Sequence, residues 1–219
     1  MDAIILAGSK FVEMRPRDNE YIIEAAAKLP IMLVNGYLEG ENIYSTICDD
    51  RAAVYQVTRE LLNSGRRKLL YLYTSHSFSG VNKLAGFKEA HQQMGLEVPD
   101  SMIRQCAKDI SVARDLLLTL HREGLEFDAV VTSDDSLAVG AVKFAHAAGI
   151  SIPDELSIIG YNDSILARST DPEITSIDSK VEALCSTTIN TLMGVFSGKN
   201  VPSRTTIASD LIKRQTTNF

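Results

Sequence analysis

The chain has 219 residues, 45% hydrophobic and 23% charged, with a net charge of −6; such a composition is ordinary for a soluble globular protein of one large or two modest domains. Its acidic balance, with both signs interspersed, excludes this segment's own surface as a nucleic-acid ligand, because phosphate recognition needs a basic face. Three widely spaced cysteines, Cys48, Cys106 and Cys185, exclude a disulfide framework or a CxxC metal site and point to a reducing cytoplasm. No apolar run approaches membrane-spanning length, and no basic stretch followed by an apolar core marks a signal for secretion.

Asp2–Ser9 reads as a buried strand with no lead-in, as though the chain starts inside a fold. A helix is expected from Asp18, with Asp18 as its N-cap and Pro30 as its stop, followed by a strand over Ile31–Asn35. Gly36–Asn42 is a loop and Ile43–Cys48 an extended piece. Asp50–Ser64 is predicted as a helix that buries Ala53, Val54, Val57, Leu61 and Leu62 and ends at Gly65. The strand Leu69–Tyr73, a polar link over Thr74–Gly80 and a helix over Leu84–Met94 follow. A brief strand at Met102–Cys106 and an amphipathic helix at Val112–Arg122 lead into Phe127–Asp163, the stretch with the clearest pattern. There, the bare apolar run Ala129–Thr132 is a parallel strand buried on both faces. Ser133, Asp134 and Asp135 can cap the next helix, Gly149 closes it, and Leu156–Gly160 is a second buried strand ending at Asn162, Asp163 and Ser164. Ile165–Pro172 is predicted as a loop and Ile174–Ile177 as an extended crossing. Val181–Phe196 is a helix, and Thr205–Arg214 is one or two strands.

Strands alternating with helices make the class α/β with mainly parallel sheet. The polar link and the later crossing suggest two lobes with a cleft between them. Residues 1–73 form part of an N-terminal lobe and 74–164 a C-terminal lobe, while 165–219 supply a crossing strand, a returning helix and closing strands. Polar groups at the carboxyl ends of parallel strands make a binding edge, because open α/β sheets take ligands there.

Motifs for chemistry are few. There is no GxxxxGK[ST] or GxGxxG, no HExxH and no GxSxG, and Ala7-Gly8-Ser9 is a simple turn. His76, His91, His121 and His146 are read as solvated or half-buried, so no metal and no cofactor is expected. Asp134 and Asp135 do not face each other at a helix start, which favours one cap and one ligand contact over an acid–base or Mg²⁺ pair. Asn162-Asp163 is equally consistent with an Asx-stabilised turn and with a contact pair. Spacing alone makes Lys83 an ordinary solvated lysine. The weight falls on binding, with no catalytic residue.

The segments DAIILAGS, PIMLVNG, DDRAAVYQVTRELLNSGRRKLLYL, KLAGFKEA, DAVVTSDDSLAVGA, IPDELSIIGYNDS, DPEITSID and LIKRQT stand in this order along nearly the whole chain. In that order they resemble the effector-binding core of lactose-repressor/galactose-repressor (LacI/GalR) transcription factors, which shares its fold with periplasmic sugar-binding proteins. The resemblance implies a two-lobed periplasmic-binding-protein-like fold whose N-terminal lobe is incomplete here. It also implies an absent N-terminal helix-turn-helix and about 60 absent core residues, at about 30 per βα unit. An apolar sheet edge or helix face is then expected to lie open.

Further implications concern the site. Lys83 stands where the family has an arginine before L-A-G-F, which keeps a cation but loses its planar fork. Asp134 stands at an amide position, with Asp135 at the acidic one. Asn162 replaces an acid after Gly-Tyr. Asp50 and Ser79 match less certain contact positions, and Ser9 ends the first strand toward the same cleft. The set suits a polyhydroxylated effector. The family's mechanism implies a cytoplasmic homodimer in which a sugar-like effector closes the lobes and operator DNA is read only through the helix-turn-helix. A sugar-binding protein of an ABC-type transporter is the alternative, and a small α/β sugar-modifying enzyme, with Lys83 and Asp134 as its one candidate pair, is a third reading.

Overall fold

The structure, a computed structural model, describes residues 1–12 and 15–219. Its elements run β1 (Ile4–Ala7), α1 (Glu20–Ala26), β2 (Ile31–Val34), β3 (Ile43–Cys48), α2 (Asp50–Asn63) and β4 (Leu69–Tyr73). They continue with α3 (Phe78–Gln93), β5 (Ile103–Gln105), α4 (Ile110–Arg122), β6 (Ala129–Thr132) and α5 (Asp135–Ala148). Then follow β7 (Ser157–Tyr161), α6 (Ile165–Arg168), β8 (Thr175–Asp178), α7 (Val181–Phe196), β9 (Arg204–Ile207) and β10 (Asp210–Ile212).

The chain divides into two units, and the division departs from the sequence expectation. Unit 1 comprises Met1–Asp49, His76–Val81 and Lys180–Ser209; unit 2 comprises Asp50–Ser75, Asn82–Ser179 and Asp210–Phe219. The helix α2 and strand β4, expected in the first lobe, belong to unit 2. The reason is hydrogen bonding: β4 pairs in parallel with both β5 and β6. The chain end is shared as well, because β9 joins the sheet of unit 1 and β10 the sheet of unit 2.

Unit 1 is a parallel sheet in the order β1-β2-β3-β9. Period-two alternation along β2 sends Ile31 and Leu33 to one face, where they pack with Ile22, Ala26, Val12 and Ile43. Val34 turns to the other face and packs with Cys48, Leu184 and Ile207. The open apolar edge expected from sequence is present. Among the described residues β1 has one strand neighbour, Ile5 is 43% exposed, and α7 turns Val181, Ile189, Met193 and Phe196 outward.

Unit 2 is a six-stranded sheet ordered β10-β8-β7-β6-β4-β5, parallel except for the β10–β8 pair. One face carries a core under α4 and α5 built on Leu117, Leu137, Val142, Phe144 and Ile158. The other is covered by α2 and α3 over Val54, Leu61, Phe87 and Ile159. Both helix pairs approach closely because each has a glycine at the crossing. A Cβ on Gly140 would lie 2.5 Å from that of Ala113, and one on Gly86 would lie 2.2 Å from the Arg51 carbonyl oxygen. No helix among the described residues is long and apolar enough to cross a membrane.

Three local expectations are corrected. A 3₁₀ turn over Pro16–Asn19 precedes α1, so its N-cap is Asn19, and Asp18 instead pairs with Arg17 at 3.6 Å. The helix α3 starts at Phe78, well before Leu84, because the Ser77 hydroxyl accepts the Gly80 amide at 3.3 Å and caps a polar first turn. The segment after Ser164 is not all loop, since Ile165–Arg168 makes one helical turn.

Candidate functional site

The carboxyl end of β6 is the centre of the polar cluster in unit 2. The Thr132 hydroxyl lies 2.9 Å from the Ile159 carbonyl of the neighbouring strand and 3.0 Å from the Asp134 carbonyl, which pins the turn between β6 and α5. Asp134 takes the extended backbone of an N-cap, and its Oδ1 accepts the Ser136 amide at 3.0 Å and hydroxyl at 2.7 Å. Its Oδ2 accepts from Asn162 at 3.1 Å and forms an ion pair with Lys108 at 2.7 Å. One carboxylate therefore caps a helix and also faces the polar groups of the next strand end.

Asp135 plays the opposite part. It is 1% exposed and accepts the Ser164 amide at 2.7 Å, the Ser164 hydroxyl at 2.8 Å and the Ser176 hydroxyl at 2.6 Å. Burial raises its carboxyl above the usual range, and these hydrogen bonds oppose the shift. Gly160 makes room for it, since a Cβ there would sit 2.2 Å from Asp135 Oδ1. The Asp134–Asp135 pair thus divides into an edge group and an internal strut.

At the end of β7, Asn162 and Asp163 both have positive φ, 100° and 46°. This left-handed backbone is one that Asn and Asp tolerate better than most residues. The side chain of Asn162 also joins the cluster: its amide donates to Asp134 while its carbonyl accepts from Ser179 at 3.4 Å. Asp163 is held by Arg214 at 2.7 Å and Arg168 at 3.0 Å.

Lys83 is no solvated lysine. It is 7% exposed, donates to the Ser133 carbonyl at 3.2 Å and places its ammonium 3.4 Å above the centre of the Tyr161 ring. The Tyr161 hydroxyl in turn donates to the buried Asp50 carboxylate. Burial, reinforced by the charge of Asp50, holds the nearby Tyr71 phenol above its ordinary range. Of the sequence candidates, Lys83, Asp134, Asn162 and Asp50 fall in unit 2. Ser9 and Ser79 fall in unit 1: the Ser9 hydroxyl donates to that of Ser77 at 2.9 Å, and Ser79 is buried in the first turn of α3.

Sequence reasoning passed over Lys108, which sits in the bend between β5 and α4 where no spacing links it to Asp134. It also passed over the two roles of the Tyr161 ring. The buried His91, packed on Phe87 with its Nδ1 2.9 Å from the Phe87 carbonyl, is a core histidine, and burial lowers its pKa. Among the described residues no group of three or more His, Cys, Asp or Glu is placed to hold a metal ion.

The fold is that of a known family, described as periplasmic binding protein-like domain, whose model matches residues 58–217. The chain belongs to the periplasmic-binding-protein-like family. Its relatives include transcriptional regulators of the LacI/GalR type. An HTH-type transcriptional regulator of Lachnoclostridium phytofermentans is 49% identical over 219 residues, all of this chain and 66% of the relative. The HTH-type transcriptional regulator AscG of Escherichia coli is 29% identical over 194 residues, 88% of this chain and 57% of the relative. The chain thus spans less than two thirds of these regulators. Among solved structures, a sugar-binding transcriptional regulator of the LacI family from Escherichia coli, complexed with phosphate, superposes with a TM-score of 0.86. It is 27% identical, over 99% of this chain and 77% of that one.

Proposed function

We propose that this periplasmic-binding-protein-like chain is the effector-binding core of a bacterial transcriptional regulator. Its effector is a small polyhydroxylated molecule, a sugar or sugar derivative, held by Asp134, Asn162 and Lys83 with Asp50 behind them. The observation that carries the reading is the strand-end set in unit 2, where an acid, an amide and a cation stand together on Asp134 Oδ2 and the Ser133 carbonyl. Sugar hydroxyls both donate and accept, and a mixed set of this kind serves both needs. Several relatives carry names in the same sense, among them arabinose metabolism transcriptional repressors at 27% identity.

Binding rather than turnover fits the local chemistry. The pair that an enzyme could have used is divided, with Lys83 on Tyr161 and Ser133 while Lys108 closes on Asp134. In the whole protein we assign operator binding to a helix-turn-helix, as in the relatives' names, because phosphate recognition needs a basic face and this chain carries a net charge of −6. The regulator then acts as a cytoplasmic homodimer in which the effector binds two conformations with different affinity, the requirement for any ligand-driven switch.

The test is calorimetric titration of arabinose, glucose, galactose and maltose into wild type and Asp134→Asn. A sugar that binds wild type and loses tenfold or more in Asp134→Asn, about 1.4 kcal/mol, supports the reading. Sugar binding indifferent to Asp134 refutes the site.

A further inference from the structure

We propose that Lys108 is a specificity-determining residue of this site, an internal counter-ion occupying the position on Asp134 that a ligand hydroxyl needs. The inference rests on the reading of Asp134 as an effector contact. A carboxylate offers about four acceptor positions. All of those on Asp134 are taken: Oδ1 by the amide and hydroxyl of Ser136, and Oδ2 by Asn162 at 3.1 Å and Lys108 at 2.7 Å. A ligand that donates to Asp134 must therefore displace one of these four partners.

The four are not equally movable. The Ser136 amide belongs to the first turn of α5, and its hydroxyl is buried beside it. Asn162 is held through its backbone amide, which donates to the Ile177 carbonyl at 2.8 Å, and through its side-chain carbonyl, which accepts from Ser179 at 3.4 Å. Evicting Ser136 leaves buried donors out of reach of water, the costly kind of loss, and the half-buried Asn162 is tethered at its other end by Ser179. Lys108 differs, because its side chain is 64% exposed, while that of Asp134 is 11% exposed. A displaced ammonium returns to solvent at the small cost typical of an exposed ion pair. Lys108 is the partner that leaves.

Every neutral polyol hydroxyl that docks on Asp134 thus competes with Lys108, and the lysine sets a threshold affinity for such ligands. Added salt weakens the pair and lowers that threshold. Binding of an uncharged sugar should therefore strengthen with ionic strength, a dependence that no packing role for Lys108 would produce.

The experiment titrates arabinose, glucose, galactose and maltose into wild type, Lys108→Met and Asp134→Asn, at about 50 mM and about 500 mM NaCl. For a sugar that Asp134→Asn weakens, Lys108→Met is expected to bind about two- to fivefold tighter than wild type. Higher salt should tighten wild type and leave Lys108→Met unchanged. A sugar that requires Asp134 yet binds Lys108→Met no better, with no salt dependence in wild type, overturns the role of Lys108 and leaves the site reading intact. If no probe binds in an Asp134-dependent way, the site reading fails and this inference falls with it.

Discussion

The ammonium of Lys83 rests 3.4 Å above the ring of Tyr161, and the hydroxyl of the same ring donates to the buried carboxylate of Asp50. One aromatic side chain thereby stands between a cation and an anion that are both shielded from water. Tyr161→Phe keeps the ring under Lys83 and removes the donor to Asp50. Hydrogen bonds to charged groups are worth about 1.5–3 kcal/mol, and urea denaturation should show a loss of that size. An unchanged midpoint would mean that Asp50 finds another donor when Tyr161 lacks its hydroxyl.

Asp134 combines a helix cap with an ion pair, and two substitutions separate them. Asn is as good an N-cap as Asp, so Asp134→Asn should keep the stability of unit 2 close to wild type while losing the charge that Lys108 meets. Asp134→Ala removes the cap as well and should cost about 0.5–2 kcal/mol. Equal stability of the two variants in denaturant would show that the cap contributes nothing here.

Gly86 lets α3 lie against α2, since a Cβ there would sit 2.2 Å from the Arg51 carbonyl oxygen and 2.9 Å from the Tyr55 amide. Alanine normally favours a helix by about 1 kcal/mol over glycine. At this position the backbone it meets cannot move aside, and overpacking costs about 1–3 kcal/mol or more. Gly86→Ala is therefore expected to be destabilising in thermal melts, with a sign opposite to helix propensity. Stabilisation would show that α2 and α3 separate freely.

His91 gives stability a pH dependence. Burial lowers its folded pKa below the ordinary 6.5, so between the two values the unfolded chain holds more protons. Stability is full above pH 6.5 and is lost as pH falls from there through the folded value. The slope approaches about 1.4 kcal/mol per pH unit. Asp135 acts in the other sense, because its raised pKa gives stability that is complete below the ordinary 3.8 and is lost as pH rises through the folded value. His91→Gln should flatten the loss below pH 6.5 in denaturation series, and an unaltered slope would assign it to another group.

Arg214, in the closing LIKRQT segment, pairs with Asp163 at 2.7 Å with little exposure on either side, and also donates to the Ile174 carbonyl at 2.9 Å. Removing one partner of a buried ion pair costs about 3–5 kcal/mol; Arg168 stays on Asp163 and offsets part of that, and Arg214→Met should still be the most destabilising of these variants. A loss below about 1 kcal/mol, the range of exposed pairs, would show that Arg168 or water satisfies Asp163 without Arg214.

Local periodicity and punctuation made most elements readable. The run Ala129–Thr132 is β6 as expected, and Asp134 and Gly149 bound α5 as cap and left-handed stop. The helix Val181–Phe196 is found with its expected ends. The start of α3 was hidden because Ser77–Gly80 contains two serines and a glycine, all weak helix formers, while the capping role of the Ser77 hydroxyl is visible only in three dimensions. Of the site, the strand-end residues Asp134 and Asn162 were legible because a parallel strand must end in something polar.

By itself the sequence determined the α/β class and the strand ends at which polar groups collect, since both follow from hydrophobic period and turn chemistry over a few residues; the family resemblance rests on the order of whole segments along the chain. Only the tertiary structure decided which strands share a sheet, placing β4 in unit 2 and parting β9 from β10. It alone set Tyr161 against Asp50, 111 residues apart, Lys83 against Ser133, 50 apart, and Lys108 on Asp134. The physical reason is that a lysine or tyrosine carries no local mark of its partner. Partnership is chosen when backbone pairing brings distant strand ends together and burial leaves each charge only the few groups within reach.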